Sequence, residues 1–378
     1  MEISEIRDKI DALDSQILEL FLMRMELAEK EADYKNQHHL PILNKERERA
    51  ILAKAAERAG HQERYAHHLF STLFELARSR QAELISAPTQ VQKLVESALR
   101  AGGSLFPQNG LVACQGVEGA NSQAACDRIL PRGRITYVST FEGVADAVES
   151  GACQFGVLPV ENSSNGSVRA VYQLLLERNL SIVSSTRLCI RHDLLVNPGV
   201  AMGDIEEIYS HEQAIGQCSR FLSGLSGVKV VPCGNTAMAA KMVAESGSLH
   251  TAAISSRPCA TLYGLESIND HIQNSDNNYT RFFCVAKDPV IYAGANRVSL
   301  VVSLENRAGS LYEMLSKLAA LGINMTKLES CPVTGSNFEY MFFLELEASV
   351  QDASVLAMLE EMERSCPKFQ FLGNYAEL

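Results

Sequence analysis

The chain has 378 residues, 46% hydrophobic and 21% charged, which is the balance of an ordinary globular protein with room for two or three domains. A formal net charge of −11 with no long basic run excludes a general nucleic-acid binder, so an anionic ligand must be captured by local cations against the overall field. No stretch approaches the roughly 20 apolar residues of a membrane span, and Met1-Glu2-Ile3-Ser4-Glu5 lacks a signal-peptide core; a soluble, cytoplasmic protein without membrane association is expected.

Residues 2–36 read as one unbroken helix. No Gly or Pro precedes Pro41, and Ile3, Ile6, Ile10, Leu13, Ile17, Leu20 and Leu27 recur at the 3-4 spacing of a packed helix. The slot between Leu20 and Leu27 is Arg24. A guanidinium at a core position must be paired, or it must await an anion. Two readings stay open: Arg24 pairs with Glu31 in a plain dimer zipper, or it belongs to a site. On an α-helix Arg24 and Lys35 are roughly 16 Å apart on nearly the same face, so their side chains can converge on one small dianion. Arg7, roughly 25 Å from Arg24 and about a quarter turn round, can serve that ligand only from a second, antiparallel copy.

Pro41 breaks the helix. Asn44 can N-cap a second one over 45–59, closed by Gly60, and a third spans 62–85 with Tyr65, Leu69, Leu73, Leu76 and Leu84 apolar. Three helices so unequal in length cannot bury the first one's seam within one chain, and dimerisation is the simplest remedy. Pro88 opens a connector with a short amphipathic helix over 91–99, ending in the flexible composition Ala101-Gly102-Gly103-Ser104. From Leu111 short apolar strands alternate with helices, at 111–115, 135–138, 156–160, 182–188, 208–210, 228–231, 252–255 and 282–286. That pattern predicts an α/β domain with a largely parallel sheet. From Arg297 an α+β unit reads βαββαβ, over 298–304, 310–321, 323–330, 338–346, 352–363 and 369–373. Ten Cys contain no CxxC and none has His at metal-ligand spacing, so no metal and no cofactor is expected. Cys114, Cys153, Cys189 and Cys284 lie in apolar stretches and are expected as buried thiols.

In open α/β sheets, ligands bind at the carboxyl ends of strands beside helix N-termini. Small polar residues gather at several such places: residues 116–122, residues 159–166, Tyr209-Ser210-His211, Asn235-Thr236-Ala237 and Asn278-Tyr279-Thr280-Arg281-Phe282. Taken singly, each is more often a cap or turn than a site; their occurrence in this order is the more specific signal. The first loop lacks dinucleotide-fingerprint spacing and a phosphate-loop Lys, which argues against nucleotide binding.

The whole chain resembles the bifunctional chorismate mutase–prephenate dehydratases of phenylalanine biosynthesis that end in a regulatory ACT domain. The resemblance rests on Ile6-Arg7-Asp8-Lys9-Ile10-Asp11-Ala12-Leu13-Asp14, Pro159-Val160-Glu161-Asn162-Ser163, Thr261-Leu262-Tyr263-Gly264-Leu265 and Thr280-Arg281-Phe282. It implies a multidomain chain: an all-α mutase domain over 1–88, forming an intertwined dimer, and a linker over 89–106. A two-lobed α/β dehydratase domain similar to periplasmic binding proteins follows over 107–288, then a βαββαβ ACT domain over 296–378. Such a mutase needs no nucleophile; it holds the diaxial conformer of chorismate and stabilises charge on the breaking ether oxygen. The resemblance implies that Arg24, with Arg7 of a second copy, binds the two carboxylates. Lys35 and Gln81 would then bond the ether oxygen, and Glu48 the ring hydroxyl, with Asn44 and Arg47 beside it. Asn44 stands where the family often has Asp, and Ala77 where it often has Ser, a loss of about 1 kcal/mol that should leave the mutase active.

For the dehydratase the resemblance implies expulsion of hydroxide and CO2 from prephenate, driven by aromatisation. Thr280 assists hydroxyl departure as an aligned donor, and Arg281 or helix N-terminal amides anchor the pyruvyl carboxylate. Glu161, Asn162, Ser163, Ser210, Thr236 and Phe282 are the other cleft residues expected, with His211 an alternative acid. In the ACT domain, L-phenylalanine is the implied effector at a dimer interface, held by Gly309, Ser310 and Leu311 and by Glu329 and Ser330. Ser310 replaces the usual Ala there, and Cys331 the usual Arg. Two dimerising modules allow a homodimer or a higher homo-oligomer. Two rivals remain. One is a dehydratase whose helical domain only dimerises, against which Arg24, Lys35, Glu48 and Gln81 argue. The other is a non-catalytic two-lobed binding protein with an amino-acid sensor, which leaves the helical module unexplained.

Overall fold

A computed structural model of the chain describes residues 2–38, 40–85, 88–102, 105–332 and 340–378. Two compact units separate, one holding the N-terminal helices with residues 356–365, the other holding residues 94–355 and 366–378. The helices are α1 (Ile3–Gln37), α2 (Lys45–Ala59), α3 (Glu63–Ile85) and α4 (Gln90–Gly102). Asn44 caps α2 as its position demands, its Oδ1 accepting from the Arg47 amide at 3.0 Å. The apolar seam of α1 is not what packs within the chain: Leu20 and Leu27 are 65% and 62% exposed. Arg24 and Lys35 both bond to α3, and between them Ala28 and Ala32 are buried, small residues that let the two helices approach closely.

The expected linker is a packed helix. Val91, Val95 and Ala98 of α4 are buried, and the Ala98 carbonyl accepts from the Ile291 amide at 3.1 Å. Its expected flexible end, residues 103–104, lies outside the described residues.

The α/β region begins β1 (Leu111–Gln115), α5 (Asn121–Ile129), β2 (Arg134–Val138), α6 (Phe141–Glu149), β3 (Phe155–Asn162), β4 (Gly166–Ser167), α7 (Arg169–Glu177) and β5 (Ser181–Cys189). It crosses to β6 (Asp193–Val196), β7 (Glu207–Ser210), α8 (Glu212–Gln217), α9 (Ser219–Ser223), β8 (Lys229–Pro232), α10 (Thr236–Ser246), β9 (Thr251–Ser255), α11 (Arg257–Tyr263) and β10 (Glu266–Asn269). It then returns as β11 (Tyr279–Ala286). One sheet runs β2-β1-β3-β11-β5 with β4 beside β3, the other β10-β6-β9-β7-β8. Both are mixed, not largely parallel as expected. Among the described residues of these sheets, only β1 with its neighbours β2 and β3, and β7 with β8 and β9, pair parallel; the returning β11 inserts antiparallel between β3 and β5. A strand that comes back from the other lobe enters from the opposite end, and periodicity does not report that direction.

The last region is β12 (Arg297–Ser303), α12 (Ser310–Ala320), β13 (Asn324–Pro332), β14 (Tyr340–Glu347), α13 (Ala353–Ser365) and β15 (Lys368–Tyr375). Its antiparallel sheet runs β13-β14-β12-β15, in the expected βαββαβ order. The expected start of its third strand, residues 338–339, and the Cys331 side chain lie outside the described residues. At Gly373, β15 passes close to β5, the edge strand of the first sheet. A Cβ there would meet the Ile182 carbonyl oxygen at 2.1 Å, so only glycine permits the approach. Beyond it the chain pairs with β5, Ser185 donating to Ala376 and Leu378 donating to Ser185. Cys114, Cys153 and Cys284 are buried, whereas Cys189, at the end of β5, is exposed, contrary to expectation. Among the described residues no helix is long and apolar enough to cross a membrane.

Candidate active sites

In the helical unit Arg24 does not pair with Glu31. Its Nη1 donates to the Leu73 carbonyl of α3 at 2.7 Å, and the guanidinium lies 5.7 Å from the centre of the Phe74 ring. Burial pushes its pKa down, with Glu31 and Glu48 opposing. Lys35, whose side chain is 11% exposed, donates to the Ile42 carbonyl at 2.8 Å and to Gln81 Oε1 at 2.9 Å, and pairs with Glu31 at 3.1 Å. Gln81 in turn donates from Nε2 to Glu31 Oε2 at 3.1 Å. Leu73, Ala77 and Gln81 follow at four-residue spacing along one face of α3. Two cations therefore meet that face at either end, with the small, buried Ala77 between them. Glu48 of α2 is committed to Arg78 of α3. Arg7, Asn44 and Arg47 are exposed, and Arg7 lies on the outward N-terminal half of α1, away from this group.

Between the two sheets of the α/β region lies a cavity of about 400 Å³. Gln115, Asn162, His211 and Gly234 reach it from the carboxyl ends of β1, β3, β7 and β8, and Thr280 from the start of β11. The first turns of α5, α8 and α10 open onto it through Ser122, Gln213 and Thr236. No Lys or Arg is among the described lining residues. Positive potential comes instead from the N-terminal ends of the helices that open onto it.

The side-chain amides around Thr280 have fixed polarity. Asn162 Oδ1 accepts from the Ser164 and Asn165 amides, at 3.0 and 3.1 Å. Its Nδ2 must then face Thr280 Oγ1 at 3.0 Å and Asn278 Oδ1 at 2.9 Å. Asn278 passes the direction on, its Nδ2 donating to Gln217 Oε1 at 2.9 Å. Thr280 Oγ1 thus has an acceptor site filled by Asn162, and its own proton is left for an occupant of the cavity. His211 caps α8, with Nδ1 accepting from the Gln213 amide at 3.3 Å, so its Nε2 carries a proton when the ring is neutral.

Strand alternation divides the remaining expected residues. Successive residues of a strand point to opposite faces, so Thr280 and Phe282 line the cavity while Arg281 between them does not. Arg281 is buried on the other face. Its Nη1 donates to Glu345 Oε1 of β14 at 2.9 Å, and its Nε lies 3.3 Å from Glu377. Glu161 likewise faces away from the cavity that Asn162 lines, and pairs with Lys327 of β13 at 3.0 Å. Ser163 ties loops together, donating to the Asn277 carbonyl and accepting from the Tyr279 amide. Ser210 is fully buried and donates to the Ile254 carbonyl, leaving the cavity to His211. In the C-terminal unit Gly309 caps α12 at φ 90°, and Ser310 Oγ bonds to the Glu305 and Arg307 carbonyls, next to Leu311. Glu329 and Ser330 do not face the same side: the Glu329 carboxylate accepts from Ser167 on the cavity wall and pairs with Lys327, whereas Ser330 is exposed.

A family model of type II chorismate mutase matches residues 6–82, and one of prephenate dehydratase matches residues 112–290. The bifunctional chorismate mutase/prephenate dehydratase of Escherichia coli (strain K12) is 31% identical over 376 residues, 98% of this chain and 95% of that protein. The chain belongs to the bifunctional chorismate mutase/prephenate dehydratase family. Among solved structures, a prephenate dehydratase from Arthrobacter aurescens in complex with L-Phe is 27% identical, with a TM-score of 0.65 over 70% of this chain and 90% of that one. A structure described as GqqA, a novel type of quorum quenching acylase, is 30% identical, with a TM-score of 0.64 over 71% of this chain and 98% of that one.

The chain thus carries a mutase domain and a dehydratase domain. Of the dehydratase residues expected from sequence, Asn162, Thr236, Thr280 and Phe282 meet in the cleft; Glu161, Ser163, Ser210 and Arg281 do not. Sequence reasoning missed Gln217 and His192 and did not single out Asn278. Gln217 ends a short helix and His192 lies in a crossing between sheets, where no strand-end or cap pattern marks them.

Proposed function

We propose that the mutase domain rearranges chorismate to prephenate and that the dehydratase cleft converts prephenate to phenylpyruvate. Chorismate is a dianion, and its rearrangement needs restraint of one conformer and charge stabilisation rather than a base. Arg24 binds one carboxylate and Arg7 of a second copy the other. Lys35 and Gln81 exchange their contact with Glu31, which is 46% exposed, for the ether oxygen. Glu48, with Asn44 and Arg47 near the start of α2, meets the ring hydroxyl. The outward apolar seam of α1 favours a homodimer that supplies the second Arg7.

In the cleft, the helix N-termini hold the pyruvyl carboxylate. Thr280 donates its proton toward the leaving hydroxyl, while the electron pair of the breaking C–CO2 bond moves into the ring. A cleft with no Lys or Arg among its described lining residues leaves the departing carboxylate poorly stabilised, which favours CO2 loss. The observation that carries this reading is the Thr280 hydroxyl itself: its acceptor side is filled by Asn162 and its proton is uncommitted.

Residues 296–378 act as an ACT domain with L-phenylalanine as effector. The L-Phe complex of the Arthrobacter relative supports this, as does the left-handed Gly309, which exposes backbone beside Ser310 and Leu311. Glu329 then links β13 to the cavity wall through Ser167. Purified protein given chorismate should form prephenate and then phenylpyruvate, with phenylalanine slowing the second step; formation of neither product would sink the enzyme reading.

Sharing of the mutase site has its own test. Arg7→Ala and Arg24→Ala should each lower mutase kcat/KM by about a hundredfold or more. An equal mixture of the two inactive chains should recover roughly a quarter of the unmodified rate, because half the dimers are hybrids with one intact site of two. Confirmed hybrids without recovery would count against a shared site.

A further inference from the structure

We propose that His192 is a positioning residue of the dehydratase, holding the Gln217 side chain so that its NH2 group is presented to the cleft as a donor. This rests on the dehydratase reading of the cleft. His192 is 3% exposed, lies in the crossing between β5 and β6, and lines the cavity. The returning crossing between β10 and β11 grips its backbone: its amide donates to Gln273 Oε1 at 3.0 Å, and its carbonyl accepts from the Ile272 amide at 2.8 Å. Its Nε2 lies 3.0 Å from Gln217 Oε1.

Polarity assigns the roles. Asn162 fixes Asn278, and Asn278 Nδ2 requires an oxygen at the Gln217 atom it meets. That oxygen also faces His192, so His192 Nε2 must bear the proton. The tautomer agrees with the other nitrogen: Nδ1 is buried without a protein partner, where a proton would be an unsatisfied donor. With Oε1 of Gln217 bonded from two sides, the amide cannot flip without setting donor against donor. Its two N–H bonds are therefore left free for the cleft, on the opposite lobe from Thr280.

The test compares His192→Gln, which keeps an N–H donor near the Nε2 position, with His192→Leu, which removes it. The leucine variant should lose about tenfold to a hundredfold in dehydratase kcat, with KM changed less than about threefold. The glutamine variant should stay within about threefold of the unmodified chain on both, and mutase turnover should be unchanged in each. Unaltered kcat in the leucine variant overturns the proposal, and so does an equal loss in both variants, which would mark a packing role. Should the leucine variant fail to fold, an inactive but folded glutamine variant would overturn it alone. Failure of the unmodified chain to turn over prephenate removes the dehydratase reading itself, and this proposal with it.

Discussion

Thr280→Val should lower phenylpyruvate formation by about a hundredfold or more while leaving prephenate formation from chorismate untouched. The substitution conserves shape and removes only the hydroxyl. The two N–H bonds of Asn162 Nδ2 keep Asn278 Oδ1 at 2.9 Å and the Tyr279 carbonyl at 3.3 Å as acceptors, so the local fold has no unpaired donor to accommodate. Thr280→Ser retains the hydroxyl on the same strand and should keep much more activity than the valine variant. The measurement is single-chain turnover of chorismate, with prephenate and phenylpyruvate followed separately. Loss of both activities in the valine variant would make Thr280 structural. Retention of both would move the donor role to another group, for which His211, protonated at Nε2, is next in line.

What was legible in the chain was whatever a local pattern encodes. Asn44 and Asn235 cap their helices as their positions suggest, and the βαββαβ order follows from spacing alone. The Thr280-Arg281-Phe282 motif marks the cleft except in its middle residue, because adjacency in sequence suggests a shared site whereas a strand sends neighbours to opposite faces. Glu161 beside Asn162 leaves the cavity for the same reason. Alternation was available in the sequence; which face met the cavity was not, because that depends on what covers the other face. A cation at the Arg24 position needs a partner, and that partner is the backbone carbonyl of Leu73, which no side-chain pattern announces. Gln217 and His192 belong to a polar network that forms only when the two crossings lie side by side.

The burial of Arg281 leads to the second large effect, on stability rather than chemistry. Its side chain is 7% exposed and that of Glu345 is fully buried. Burial pushes the Glu345 carboxyl above its usual range, and Arg281 opposes that shift. Arg281→Met should destabilise the dehydratase region by about 3–5 kcal/mol, because Glu345 is then left buried without its main cation. Adding Glu345→Gln removes the orphaned charge and should recover most of the loss, read as the thermal unfolding of both variants. The double variant also decides between two roles for Arg281. If it anchored the substrate carboxylate, KM for prephenate would stay raised after stability returned. The geometry assigns it instead to the junction with β14 and the residues beyond β15, so KM in the double variant should return to within about threefold of the unmodified value.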